Sequence, residues 1–307
     1  MPLGTRYFRY LAPFYPLAFE RFDLSAYDVI VSSTTAWAKG VRFRSDAVHV
    51  CYINTVSRFA FDYERYVNGF ALGPLVRPIV GRLVAWDQVA ATRPTAFVAN
   101  SENVAARIRA YYGRDAFVVP CPVDVDRFTP GPGDGDYFLI ASRLLPYKRI
   151  DRAIAAAQSA RVRLLVAGTG PAEKALRGLA AGTTTTLLGY VDDARLNALI
   201  GAARAVILPG EEDFGLVPLE AAAAGTPSIA LRAGGARETI IDGVTGEFFG
   251  EPAPESLASV LSRFDRARYD AAVLRRHAES FAPDRFIARL RAIIDAVRDG
   301  VRPPGPA

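Results

Sequence analysis

A doubly wound α/β fold is predicted by three observations. Short apolar, β-branched runs recur from Asp28 onward, helix-like patterns separate them, and a Gly/Pro-rich break divides the chain into two halves. The runs are Asp28–Ser33, Val48–Ile53, Ala96–Asn100, Tyr137–Ala141, Arg163–Gly168 and Ala205–Pro209. They are almost continuously apolar, as parallel strands covered on both faces must be. Asp151–Ala160 and Asp192–Gly201 carry helical patterns between them. The break is Thr129–Asp136 (TPGPGDGD), which can continue neither kind of element and is expected to be the domain linker. Two helical stripes follow near the end: Leu257, Val260, Leu261 and Phe264, then Phe286, Leu290, Ile293 and Val297. Val301–Ala307 is expected to fray.

The 307 residues suffice for two domains, and with half of them hydrophobic the chain reads as folded. The longest aromatic-apolar run near the start, Leu11–Phe19, contains two prolines and falls far short of the roughly 20 residues of a membrane-spanning helix. Arg6, Arg9 and Arg21 break up any secretory apolar core, which leads to the expectation of a cytoplasmic protein. Cys51 and Cys121, the only cysteines, read as buried thiols in preference to a disulfide. Two histidines make a histidine-based metal site improbable. Of the net charge of +5, residues 1–129 carry +4, from 15 Lys and Arg against 11 Asp and Glu. No dense basic block exists, which argues against nucleic acid and leaves open a weak attraction to anionic lipid or phosphorylated substrates. The aromatic-basic start, Arg6–Phe22, fits either a membrane-surface segment or a helix packed on its domain.

The strongest chemical signal is Glu212–Glu220, EDFGLVPLE. Glu212 lies beyond the carboxyl end of a strand, and Pro218 suits the first turn of a helix that Gly225 and Pro227 would end. Glu220 then lies in that helix. The N–H groups of Phe214, Gly215 and Leu216 stand free at its N-terminus, able to receive hydroxyl or phosphate oxygens, and Gly215 lets a ligand approach the backbone. Read alone, the segment equally fits an acidic loop with a helix cap. A second signal is Ser142–Arg149, SRLLPYKR, where Arg143 and Lys148 follow a strand and suit a diphosphate; a solvated basic turn is the plainer alternative. A third is Gly168-Thr-Gly-Pro171. Gly168 and Gly170 allow a tight turn near a phosphate, but Glu173 breaks the dinucleotide fingerprint, so an ordinary strand-to-helix turn fits as well and an NAD-dependent oxidoreductase is disfavoured.

Together these segments resemble family 4 glycosyltransferases, especially the mannosyltransferase-like branch of O-antigen and exopolysaccharide assembly. The resemblance is carried by WDQVAATRPTAFVANSENVAARI, YYGRDAFVVPCPVDVDRF, SRLLPYKRIDRAI, VAGTGP and EEDFGLVPLEAAAAGTPSIALRAGGARETIIDGVTGEFF, and more weakly by YDVIVSSTTAWAKGV and CYINTVSRFAFD. It implies a GT-B fold of two Rossmann-like domains facing a cleft. An acceptor-side domain would span residues 1–130, a nucleotide-sugar domain 131–282, and a C-terminal helix and tail 283–307. The first domain is expected to be incomplete, since only Met1–Tyr27 precede YDVIVSS.

The resemblance also implies roles. Glu212 would contact hydroxyls of the transferred sugar, Phe214, Gly215 and Leu216 would offer N–H groups, and Glu220 would take the ribose hydroxyls. Arg143 and Lys148 would hold the diphosphate and stabilise it on leaving, with Gly170 counted in the donor set and Tyr190 and Val191 beside the base. Asn54 stands where the family usually has a histidine that touches the donor sugar. Transfer would be retaining and metal-independent, with no cofactor beyond the nucleotide diphosphate sugar, because fixed positive charge stabilises the leaving group. Asp124-Val-Asp126 has the spacing of a metal-binding pair, but the resemblance makes it interdomain structure. The expected partners are a GDP- or UDP-sugar and a saccharide or lipid-linked acceptor, with peripheral contact at the inner face of the membrane. The alternative is a nucleotide-sugar-binding chain that is inactive alone, self-associates or needs a partner chain.

Overall fold

Two parallel sheets organise the chain. A computed structural model describes residues 11–57 and 77–303. Arg6 and Arg9 of the aromatic-basic start, the RFAFD part of CYINTVSRFAFD, and residues 304–307 of the tail lie outside the described residues. The chain divides into two units, Met1–Pro120 with Ala288–Ala307, and Cys121–Ile287.

The first unit holds β1 (Val29–Thr34), β2 (Val48–Ile53), β3 (Ala96–Ala99) and β4 (Ala116–Val118), paired in that order and all parallel. Helices α1 (Tyr15–Glu20), α2 (Arg77–Ala90) and α3 (Glu102–Tyr112) accompany them. Ser101 caps α3 by accepting from the Val104 N–H at 3.1 Å, and Gly113, at φ +64°, ends it. Cys51, Ile53, Phe97, Val104 and Ile108 form the core between sheet and helix. Among the described residues β1 is an edge strand, and its Val31 is half exposed.

Two polar networks tie this unit together. Glu20, at the end of α1, accepts from the Trp86 indole at 2.7 Å, from Arg93 at 2.7 Å and from Arg42 at 2.8 Å. Burial alone would raise its pKa; the Trp86, Arg93 and Arg42 hydrogen bonds outweigh burial and lower it to about 2. The second network centres on the buried Lys39, Ser57 and Asp87. Lys39 pairs with Asp87 at 2.5 Å, and the Ser57 and Tyr112 hydroxyls donate to the same carboxylate at 2.6 and 2.9 Å. Burial holds the Lys39 ammonium below its ordinary pKa, against the pull of Asp87.

The second unit holds β5 (Tyr137–Ala141), β6 (Arg163–Ala167), β7 (Thr185–Gly189), β8 (Val206–Leu208), β9 (Ser228–Leu231) and β10 (Gly246–Phe249). Their spatial order, β10-β9-β8-β5-β6-β7, is that of a Rossmann-like sheet whose direction of winding reverses between β5 and β8. Its helices are α4 (Ile150–Ala160), α5 (Glu173–Ala180), α6 (Asp193–Ala202), α7 (Leu216–Ala223), α8 (Ala236–Thr239), α9 (Pro254–Arg263) and α10 (Ala271–Glu279). Leu257, Val260, Leu261 and Phe264 are all buried at α9, as their stripe requires. The last helix, α11 (Pro283–Arg298), buries Val297. The stretch Thr129–Asp136 is bound along its length within this unit: the N–H groups of Gly131, Gly133 and Gly135 donate to Ala224, Gly201 and Ala202 carbonyls at 3.2, 3.0 and 2.8 Å.

Candidate functional site

A pocket of about 200 Å³ opens where the winding of the second sheet reverses. Its floor is apolar, made by Ile140 and Ala141 at the end of β5 and by Ile207 and Leu208 of β8. Parallel sheets bind ligands at this position because two strands there send their loops apart. Three segments reach it: the loop after β5 with Ser142 and Lys148, the loop after β8 with Pro209 and Glu212, and the start of α7 with Gly215 and Leu216.

Local chemistry sets each segment. After β5, Leu144 is fully buried and its backbone bonds Thr169 and Ala172, each at 3.0 Å, which turns the chain into the 3-10 turn Pro146–Lys148. Arg149 then adopts φ +53°, an uncommon conformation for a residue with a side chain, and its guanidinium forks onto Asp151. That left-handed residue is the joint between the Lys148 turn and α4. Beyond β8, the Glu212 carbonyl accepts from the Gly235 N–H at 2.9 Å. Gly215, at φ +85°, occupies the cap position of α7, where a side chain would be strained. Phe214 is buried, with its ring 6.3 Å from that of Phe281, and so holds the loop down from behind.

The carboxylate of Glu212 forms an ion pair with the ammonium of Lys148, and each side chain is about one-fifth exposed. Sequence reasoning assigned these two residues to different parts of a ligand; the fold brings them to each other. Lys148 also lies 5.4 Å from the centroid of the Tyr147 ring.

Arg143, Glu220, Tyr190, Val191, Gly170 and Asn54 are not among the residues that line the pocket. Arg143 is exposed on the loop after β5. Glu220 sits in α7, half buried; burial raises its pKa, the charge of Arg127 opposes this, and Asp193 adds to it. Tyr190 is 79% exposed beyond β7 and Val191 is half buried. Gly170 serves the protein's own packing, since a Cβ there would lie 2.4 Å from the Leu144 carbonyl oxygen. Asn54 belongs to the first unit, at the carboxyl end of β2, where its amide donates to Ser33 at 3.0 Å and its carbonyl accepts from Asn100 at 2.9 Å.

Two contributions escaped sequence reasoning. A Cβ at Gly210 would meet the Tyr147 carbonyl oxygen at 2.7 Å, so glycine there lets the loop after β8 lie against the Lys148 turn. A Cβ at Gly235 would fall 2.4 Å from the Phe214 Cα and 2.5 Å from the Asp213 oxygen. The paired glycines 234–235 were the available signal, and their partner loop lies some twenty residues earlier in the chain. Asp126 is exposed and faces Arg275 at 3.6 Å. Among the described residues no group of three or more His, Cys, Asp or Glu side chains is disposed to hold a metal, and no helix is long and apolar enough to cross a membrane. Cys51 is a buried thiol and Cys121 a half-buried one.

Comparison with known proteins follows this division. The family described as Glycosyl transferases group 1 matches residues 124–279, and that described as Glycosyltransferase Family 4 matches residues 1–127. A D-inositol 3-phosphate glycosyltransferase of Geodermatophilus obscurus is 32% identical over 252 residues, covering 71% of this chain and 56% of that protein. The chain spans about half the length of the curated relatives it matches. Among solved structures, the sucrose-phosphate synthase of Thermosynechococcus elongatus aligns with a TM-score of 0.73 over 98% of this chain and 81% of its own, at 18% identity. The HepE protein of Anabaena, solved with UDP, aligns with a TM-score of 0.65 over 96% and 84%, at 17% identity. At such identities the likeness is one of fold.

Proposed function

We infer the function of this chain from the family to which it belongs, the glycosyl transferases group 1: it moves a hexose of mannose or glucose type from a nucleotide diphosphate sugar to a saccharide or lipid-linked acceptor, with retention, in surface polysaccharide assembly. The observation that carries this reading is the meeting of Lys148, Glu212 and the open N-terminus of α7 in one pocket at the reversal point of the second sheet.

In this reading the diphosphate lies against Lys148 and the first N–H groups of α7, whose helix dipole favours an anion. Arg143 adds a second cation from the loop after β5. Glu212 accepts from hydroxyls of the sugar, and Glu220 from the ribose. Tyr190 and Val191 lie along the base. As the glycosidic bond breaks, negative charge grows on the leaving phosphate oxygen, and fixed positive charge there lowers the barrier. The reaction then needs no metal and no further cofactor. The exposed Phe14, Leu17 and Phe22 of the first unit support contact with an anionic membrane from the cytoplasmic side. A second reading, a chain that binds donor but requires a partner or a second copy, is supported by the edge position of β1 and the exposure of Val31.

The experiment is calorimetry with UDP and GDP, followed by transfer from UDP-glucose and GDP-mannose in the presence of chelator, with and without anionic vesicles. Lys148→Ala is expected to weaken nucleotide binding by about 1.5–3 kcal/mol, the loss of a charged hydrogen bond. Unchanged affinity removes Lys148 from the site, loss of transfer with chelator and its return with manganese refutes metal independence, and a rate indifferent to vesicles removes the membrane. Binding without transfer by a self-associating sample favours the second reading.

A further inference from the structure

We propose that Glu212 acts as a discriminator between the intact donor and the spent nucleotide, by competing with the diphosphate for Lys148. The inference rests on the reading of the pocket as a nucleotide-sugar site. Its own ground is the ion pair between Lys148 and Glu212, which joins the two charged side chains that line the pocket.

The walls around the pair include Ile140, Ile150, Ile207 and Leu208, so opposite charges there interact more strongly than in water. A diphosphate can use Lys148 only by drawing its ammonium away from Glu212. The carboxylate is then left beside an anion with its partner gone, and an unpaired, half-buried carboxylate is costly. A donor that still carries its sugar offers a remedy, because the sugar hydroxyls donate hydrogen bonds to Glu212 in place of the ammonium. A nucleotide that has lost its sugar brings no such donor to that end of the pocket. The site therefore tolerates the whole donor and resists the bare nucleotide. After transfer, re-formation of the Lys148–Glu212 pair favours departure of the product.

Charge is the essential quantity, so the test removes charge and keeps shape. Wild type, Glu212→Gln, Lys148→Ala and the double variant are titrated with UDP and GDP, and with UDP-glucose and GDP-mannose. Glu212→Gln is expected to bind the bare nucleotide roughly tenfold more tightly, the factor carried by one charge-assisted hydrogen bond. The ratio of donor to nucleotide affinity should shrink by at least the same factor. In the Lys148→Ala background the gain from Glu212→Gln should vanish, since nothing remains to compete for. Unchanged or weaker nucleotide binding by Glu212→Gln overturns the proposal while leaving the nucleotide-sugar site in place. An equal gain with and without Lys148 also overturns it, because a general repulsion would then account for the effect. Failure of the wild type to bind any of the four compounds overturns both this proposal and the function on which it rests.

Discussion

Replacing Glu20 by glutamine should destabilise the first unit, and the cost should depend on pH in a defined window. The carboxylate takes three charge-assisted or indole hydrogen bonds and is only 14% exposed. Glutamine keeps the shape but places an N–H₂ group where an acceptor is needed, so a donor faces a donor. The fall of the Glu20 pKa from 4.5 to about 2 measures the preference of the folded chain for the charged form. At about 1.36 kcal/mol per unit this amounts to about 3 kcal/mol. The sign follows from the lowered value: the contribution is complete above the unfolded pKa of 4.5 and is lost as pH falls from there toward 2. At pH 3 about 1.4 kcal/mol should remain, by the same linkage. The assay is urea unfolding followed by tryptophan fluorescence. Trp37 and Trp86 are the only tryptophans and both belong to the first unit, so the signal isolates it. Wild type and Glu20→Gln should differ by about 3 kcal/mol at pH 7 and by less than half of that at pH 3. Equal stabilities at pH 7, or a difference that does not change with pH, would refute the assignment of Glu20 as the anchor of α1.

His49 titrates in a separate window: burial lowers its pKa from 6.5 to about 4, so the unfolded chain takes up a proton that the folded chain refuses, and stability should fall by up to about 3 kcal/mol as pH drops through that range. The same fluorescence assay on His49→Gln should show that slope removed, and a slope retained in the variant would exonerate His49. Gly235→Ala should cost about 1–3 kcal/mol of stability in the second unit, because its Cβ must displace the Asp213–Phe214 backbone, and should weaken UDP binding with it. Gly178→Ala, in α5 with open space around it, serves as the control and should stabilise by about 0.5–1 kcal/mol; calorimetric scans in which the two variants behave alike would show that the close contact at Gly235 is immaterial.

In the second sheet the strands legible in the sequence were those whose side chains are almost all apolar. β5, β6 and β8 lie inside the second sheet, so burial on both faces left them as continuous runs. β7 and β10 form its edges, mix buried with half-exposed positions, and carry Thr185, Thr186 and Glu247 that dilute the pattern. β4 leaves two of its three residues half exposed, and β9 opens on the polar Ser228. Glu212 and Glu220 stood out through their spacing around a predicted helix start, and of the two the fold brings Glu212 to the pocket. The partnership of Glu212 with Lys148 was not, because 64 residues separate them and only the winding of the sheet brings β5 beside β8. Nor does sequence announce that Arg149 takes a left-handed conformation, since arginine has no preference for it and the surrounding turn imposes it. In the described part of the aromatic-basic start, Pro16 is buried and Glu20 is tied down, while Phe14, Leu17 and Phe22 face solvent.

The loops of the second unit touch one another through main-chain atoms at Gly170, Gly210 and Gly235. Their spacing is consequently a matter of bond lengths, with no side chain acting as a shim that substitution could thicken or thin. Such a scaffold separates two kinds of evolutionary freedom. The exposed side chains around it, among them Tyr190 and Arg143, can be exchanged without moving the frame. The frame itself has almost no neighbouring sequences to explore, because the smallest possible addition, one methyl group, already collides with backbone. Engineering of ligand preference in this protein should therefore begin at the rim and leave the three glycines untouched.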